Sequence, residues 1–216
     1  MNRTLRSLPI ALVLLLAGCS TAYYGAMEKI GVAKREILAD RVDKTREAQA
    51  DAKQQFADAL THFQAVAKTD GGDLQKKYDE LNKEFQRSET RAKEVRSRIA
   101  AVEDVAEALF REWRNELAQY TNPALKADSQ KQFDGTRRNY DALLLLMRRS
   151  ADRMDPVLAT FRDQVLYLKH NLNARALAQL ATTNRALEGD ITRLIDDMET
   201  AIKEAEKFVK ELKTKG

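Results

Sequence analysis

Residues 74–113 read LQKKYDELNKEFQRSETRAKEVRSRIAAVEDVAEALFREW. Within them Leu74, Tyr78, Leu81, Phe85, Ser88, Ala92, Val95, Ile99, Val102, Ala106, Leu109 and Trp113 recur at alternating steps of four and three, without a slip. Such steps average 3.5 residues, close to the helical 3.6, so one small or apolar side chain returns to the same stripe at every turn. Neither glycine nor proline interrupts the run. The spacing predicts one helix of forty-odd residues, roughly 70 Å long at 1.5 Å per residue, with a single seam for partners.

Toward the amino terminus the seam stops at a turn. Thr69-Asp70-Gly71-Gly72-Asp73 combines turn-forming residues with Asp73 as a candidate N-cap for the helix that follows. Before the turn, 22–68 lacks proline, and Leu38, Val42, Thr45, Gln49, Ala52, Phe56, Ala59, Phe63 and Val66 repeat the spacing, with Thr45 and Gln49 weakening the middle. Two helices of similar length joined by five residues predict an antiparallel hairpin.

Toward the carboxyl terminus the central helix is expected to end near Tyr120, before Thr121-Asn122-Pro123, with a third segment restarting around Asp128-Ser129. Its seam is Phe133, Arg137, Tyr140, Leu144, Met147, Ala151, Met154, Leu158, Phe161, Val165, Leu168 and Leu172. Asp155-Pro156 admits a break, with Pro156 in a first helical turn, or a kink within one helix. The seam keeps its phase across Pro156, which favours the kink. After Leu172 the spacing slips through Ala176, Leu180, Thr183, Leu187, Ile191, Leu194, Met198, Ala201, Ala205, Phe208 and Leu212. A single helix from Ser129 to Leu212 would reach about 125 Å. A turn near His170 to Asn173 would instead give two helices matching the first pair, although no glycine or proline marks it. Leu143-Leu144-Leu145-Leu146 is apolar around a whole turn, and covering it calls for more than one neighbouring helix. The expected fold is therefore all-α: an elongated, antiparallel, coiled-coil-like bundle of three or four long helices forming one domain over 19–216.

Composition agrees. Of 216 residues, 32% are charged and 6% aromatic, with eight glycines and three prolines, a profile of helix formers with few breakers. Lys and Arg total 37 against 33 Asp and Glu, a formal charge of +4. Arg87, Arg91, Lys93, Arg96 and Arg98 interleave with Glu84, Glu89, Glu94 and Glu103. Nucleic-acid surfaces concentrate one sign on one face, so this mixture argues against a nucleic-acid partner and for coiled-coil flanks.

Residues 1–18 have the layout of a secretory signal: Arg3 and Arg6, an apolar run from Leu8 to Leu16, then Ala17-Gly18. The run is far shorter than the roughly 20 residues a membrane span needs. Leu16-Ala17-Gly18-Cys19 resembles the bacterial lipobox at all four positions, and Cys19 is the chain's sole cysteine. That resemblance implies cleavage before Cys19, diacylglyceryl transfer to its thiol and acylation of its new amino group, a membrane attachment through acyl chains. Ser20 stands where an aspartate would signal inner-membrane retention, so the expected location is the periplasmic face of the outer membrane of a Gram-negative bacterium. Removal of the signal also takes two arginines, leaving a charge of about +2 on 19–216.

Chemistry-bearing motifs are scarce. His62 and His170 are the only histidines, and neither has metal-ligand spacing. No phosphate-binding glycine loop, GxSxG or Walker motif occurs, so no cofactor and no metal are expected. Asp163, Tyr167 and His170 share one helical face at steps of four and three. They form a weak candidate ligand or partner site, against the ordinary reading of a polar face ending in an asparagine cap. Catalysis there would require a nucleophile converging on Asp163 and His170.

The stretches Tyr23-Tyr24-Gly25-Ala26-Met27-Glu28-Lys29-Ile30-Gly31, Pro156-Val157-Leu158 and Arg162–Ala174 resemble a proteobacterial family of predicted lipoproteins catalogued only as a domain of unknown function. The label of DNA-repair ATPase that such chains sometimes carry has no counterpart in these residues. The resemblance implies no activity, cofactor or catalytic residue. The expectation is a non-catalytic, lipid-anchored tether, scaffold or partner-binding module, with envelope proteins, peptidoglycan or a second copy as partners. The alternative is a small-molecule or lipid-binding bundle with a pocket near Leu143 to Leu146 and His170.

Overall fold

The computed structural model describes residues 34–68 and 72–214. The lipobox, the Tyr23–Gly31 stretch and residues 69–71 lie outside the described residues. Four helices follow in order: α1 (Lys34–Ala67), α2 (Leu74–Leu117), α3 (Pro123–His170) and α4 (Ala174–Thr214). No strand occurs among the described residues. Short connections force each helix to reverse direction, giving an up-down-up-down bundle in which α1 packs on α2 and α4, and α3 packs on the same two. At 48 residues, α3 is about 72 Å long.

The seams meet in the interior. All nine seam residues of α1, Thr45 and Gln49 included, are buried. On α2 the stripe from Leu81 to Leu109 is buried, and Leu74, Tyr78 and Trp113 pack partly covered at its ends. Two aromatic clusters fill the core on either side of a polar middle. Phe161 meets Phe63 and Phe85 edge-on at 5.9 and 5.8 Å. Phe110 and Trp113 do the same to Phe133 at 5.7 and 5.6 Å, the offset that aromatic quadrupoles favour. Between the clusters, Gln49 Nε2 donates to Ser150 Oγ at 2.8 Å across the bundle diagonal.

Ion pairs lace all four surface grooves. Arg91–Asp51 joins α2 to α1, Arg148–Glu103 joins α3 to α2, Arg149–Asp197 joins α3 to α4, and Lys53–Glu199 joins α1 to α4. Each exposed pair is worth at most about 1 kcal/mol, so their contribution is to mark which helices are neighbours.

The ends of the helices are chemically defined. Asp73 caps α2 by accepting from Lys76 N at 3.0 Å, as its sequence position implies. Just before it Gly72 has φ +96°, a left-handed conformation that a side chain would strain. The third helix begins earlier than the expected Asp128-Ser129, because Asn122 Oδ1 accepts from Ala124 N and Leu125 N at 2.9 and 3.2 Å. Pro123 occupies the first turn, where its missing N–H costs nothing. Likewise α2 stops at Leu117, a turn short of Tyr120. Pro156 lies on the solvent side within α3 and does not end it, so the continuous reading holds. The single helix from Ser129 to Leu212 is excluded by the turn at 171–173. In the tetraleucine, Leu143 is the fully buried residue, Leu144 and Leu146 flank the core, and Leu145 is 68% exposed. Leu172 is exposed at the turn instead of continuing the seam.

Candidate functional site

The polar cluster at the end of α3 resolves into a connector. Asn171 Nδ2 donates to the Tyr167 carbonyl at 3.0 Å, closing α3. Asn173 Oδ1 accepts from Ala176 N at 3.1 Å, opening α4. Asn173 N also donates to the Asn171 carbonyl at 2.8 Å. Two asparagines thus make the reversal that elsewhere calls for glycine or proline. Asp163 and His170 are exposed, Tyr167 is half-buried against the core, and no hydrogen bond or ion pair joins the three. The face exists, but no nucleophile converges on it. Leu146 and His170 lie 24 residues apart on α3, about 36 Å, so no single cavity includes both.

Among the described residues, no group of three or more His, Cys, Asp or Glu side chains is placed to hold a metal ion. None of the described helices is long and apolar enough to cross a membrane. Arginines of the interleaved stretch on α2 are engaged by carboxylates: Arg87 by Glu84, Arg91 by Glu94 and Asp51, Arg98 by Glu94, Arg96 by Asp155.

A groove of about 470 Å³ between α2 and α3 is lined by Glu103, Glu107, Arg137, Tyr140, Asp141, Leu144, Leu145 and Arg148. Burial, reinforced by the Glu103 carboxylate, pushes the Tyr140 phenol up to about 12. Arg148 Nε donates to Glu103 Oε1 at 2.8 Å, and that hydrogen bond raises the guanidinium above its ordinary value. The groove therefore presents a neutral phenol and paired charges, with no activated nucleophile. A second groove, of about 440 Å³, runs between the start of α1 and the end of α4, lined by Arg35, Glu36, Ala39, Asp40, Asp43, Leu212 and Lys213.

One surface feature escapes a search for catalytic motifs. The turn from α2 to α3, Ala118–Ala127, carries a single charge, Lys126, in a chain that is 32% charged, and every one of its residues is exposed. Its signal in the sequence is the local loss of charge, not any motif.

These features define a class: a closed, antiparallel four-helix bundle held by aromatic clusters and helix-to-helix ion pairs. The chain belongs to the family described as protein of unknown function (DUF2959), which it matches over residues 23–212. No curated protein and no solved structure matches it.

Proposed function

We propose that this protein is a non-catalytic, lipid-anchored bundle on the periplasmic face of the outer membrane, serving as a tether, scaffold or partner-binding module of the cell envelope. The observation that carries the proposal is Leu16-Ala17-Gly18-Cys19, a complete lipobox after a short apolar signal, holding the chain's only cysteine. Stable attachment needs more than one acyl chain, and a modified cysteine of this kind carries several. The fold supports the reading by placing Lys34 at one pole of the bundle, where its Nζ meets Glu112 Oε2 at 2.9 Å near the α2–α3 turn. The end of α1 at Ala67, the start of α2 at Leu74 and the turn at 171–173 occupy the opposite pole, tens of ångströms away along α2 and α3.

The packed core favours a structural role over ligand storage, because the seams fill the interior with one another on both sides of the buried Gln49–Ser150 layer. Mixed, paired charges along the flanks favour protein or peptidoglycan partners over nucleic acid. Photo-crosslinkers placed in cells at Lys76 and Arg175, both exposed at the far pole, test the role. The expected result is a discrete adduct with a second envelope component. Absence of any adduct at both sites, from protein confirmed to be at the membrane, contradicts a tether or scaffold.

A further inference from the structure

Leu145 is the most exposed large apolar side chain among the described residues, and it lies in the interior of α3, away from both turns. The groove between α2 and α3 opens beside it, walled by Leu144 and Tyr140, and at about 470 Å³ has room for another aliphatic side chain. Arg138, Asp141, Arg149 and Asp152 all lie within about 40° of Leu145 around the helix. All four are exposed.

Their order is self-complementary. Counted outward from Leu145, the residues four positions away are Asp141 and Arg149, and those seven away are Arg138 and Asp152. Each carboxylate therefore has a guanidinium at the same distance on the other side. A two-fold axis crossing α3 at Leu145 makes a contact in which residue i meets residue j and j meets i. It sets Leu145 on Leu145, Asp141 level with Arg149, and Arg138 level with Asp152, so that opposite charges surround one apolar centre. A parallel pair would instead set Arg138 on Arg138 and Asp152 on Asp152.

The groups are available for this contact. Arg138 and Asp152 make no hydrogen bond or ion pair among the described residues. Asp141 and Arg149 hold Arg137 and Asp197 but keep 50% and 59% of their side chains open. On the α2 flank, Glu103 and Glu107 are already held by Arg148 and Arg111. The match is particular to its centre. The same operation about Leu166 pairs Asp163 with Lys169 but sets Arg162 against His170.

We infer that the exposed face of α3 is a self-docking surface, on which a second copy of the chain packs antiparallel about Leu145. A charge order that matches its own reverse selects a copy of itself over an unrelated helix. The exposed ion pairs set the alignment, since each adds little affinity, and Leu145 supplies the apolar burial. Such a pair has a Lys34 pole at each end, so two anchored amino termini would lay it along the membrane. The contact itself uses only residues of the bundle and does not depend on the anchor proposal.

A benzophenone amino acid placed at 145 in the full-length protein in cells tests the contact, with the same probe at 125, another exposed leucine of α3, as the reference. The expected result is an adduct of twice the chain's mass from 145, crosslinked within α3 of the second copy, and several-fold less from 125. Arg138→Asp, at an exposed position with no ion pair to lose, should cut that adduct several-fold. Arg138→Asp combined with Asp152→Arg should restore it, because the swapped pair is again self-complementary. An adduct with a different protein, or none at all, overturns the self-docking surface. A double-mass adduct with the same yield in Arg138→Asp overturns the antiparallel alignment. Fractionation of the same cells reads the anchor separately, since protein absent from the membrane contradicts the anchor whatever the adduct shows.

Discussion

Gln49 on α1 and Ser150 on α3 face each other across the diagonal of the bundle, with Gln49 Nε2 donating to Ser150 Oγ at 2.8 Å. Ser150 Oγ itself donates to the Met147 carbonyl, also at 2.8 Å. Both residues are fully buried, and Gln49 Oε1 has no partner. The polar layer thus has a net cost in stability, and its benefit is register: only one axial alignment of α1 and α3 brings the pair together.

This relationship predicts non-additive mutations. Ser150→Ala strands the Gln49 amide and should destabilise the protein by about 1–3 kcal/mol. The double variant Gln49→Leu with Ser150→Ala should recover most of that loss, since no polar group remains unsatisfied. Urea denaturation of the two single variants and the double variant checks the cycle. A double variant as unstable as the sum of the singles would contradict the assignment.

Phe161 is predicted to be the costliest single truncation near the far pole. It is 1% exposed and touches Phe63 and Phe85 together. Phe161→Ala should cost about 3–5 kcal/mol. Leu145→Ala on the solvent side of the same helix should stay within about 0.5 kcal/mol of the parent. Denaturant midpoints measured side by side make the comparison.

The α3–α4 reversal depends on its caps. Asn173→Ala removes the acceptor for Ala176 N and should cost about 1 kcal/mol. Hydrogen exchange should speed up first in the opening turn of α4. Unchanged exchange there would show that the side chain is dispensable.

Stability at high pH is tied to Tyr140. Its folded-state value is about 12 against an ordinary 10, so between those limits the folded form holds a proton that the unfolded form has released. The stabilisation is fully present below pH 10 and is lost as pH rises to 12, on the order of 2 kcal/mol for a two-unit shift. Thermal unfolding of the parent and Tyr140→Phe from pH 9 to 12 separates this term. The phenylalanine variant should lose stability less steeply, and identical slopes would contradict the burial of the phenol.

Much of this fold is legible because its core is periodic. The nine-residue α1 stripe and the α2 stripe are buried almost as spaced, and even Thr45 and Gln49 keep their places. Pro156 could be read as internal because the phase survives it. The misreadings have local causes. The start of α3 depends on Asn122 and Pro123 working together as cap and first turn, and periodicity is blind to caps. Leu143 displaces Leu144 because four consecutive leucines offer the pattern no choice of phase; only the neighbouring helices decide. The reversal at 171–173 is made by side-chain hydrogen bonds from asparagine, a weaker sequence signal than glycine or proline. The exposed turn at Ala118–Ala127 is visible in the sequence only as a local thinning of charge.

Attachment through Cys19 decides where the bundle works. Intact-mass analysis of the protein extracted from the outer-membrane fraction tests it most directly. The expected species has lost residues 1–18 and carries a diacylglyceryl group and an amide-linked acyl chain on Cys19, with Cys19→Ser abolishing both the processing and the modification. A protein in that fraction with an unmodified Cys19, or one whose mass and sedimentation are unchanged by Cys19→Ser, would contradict it.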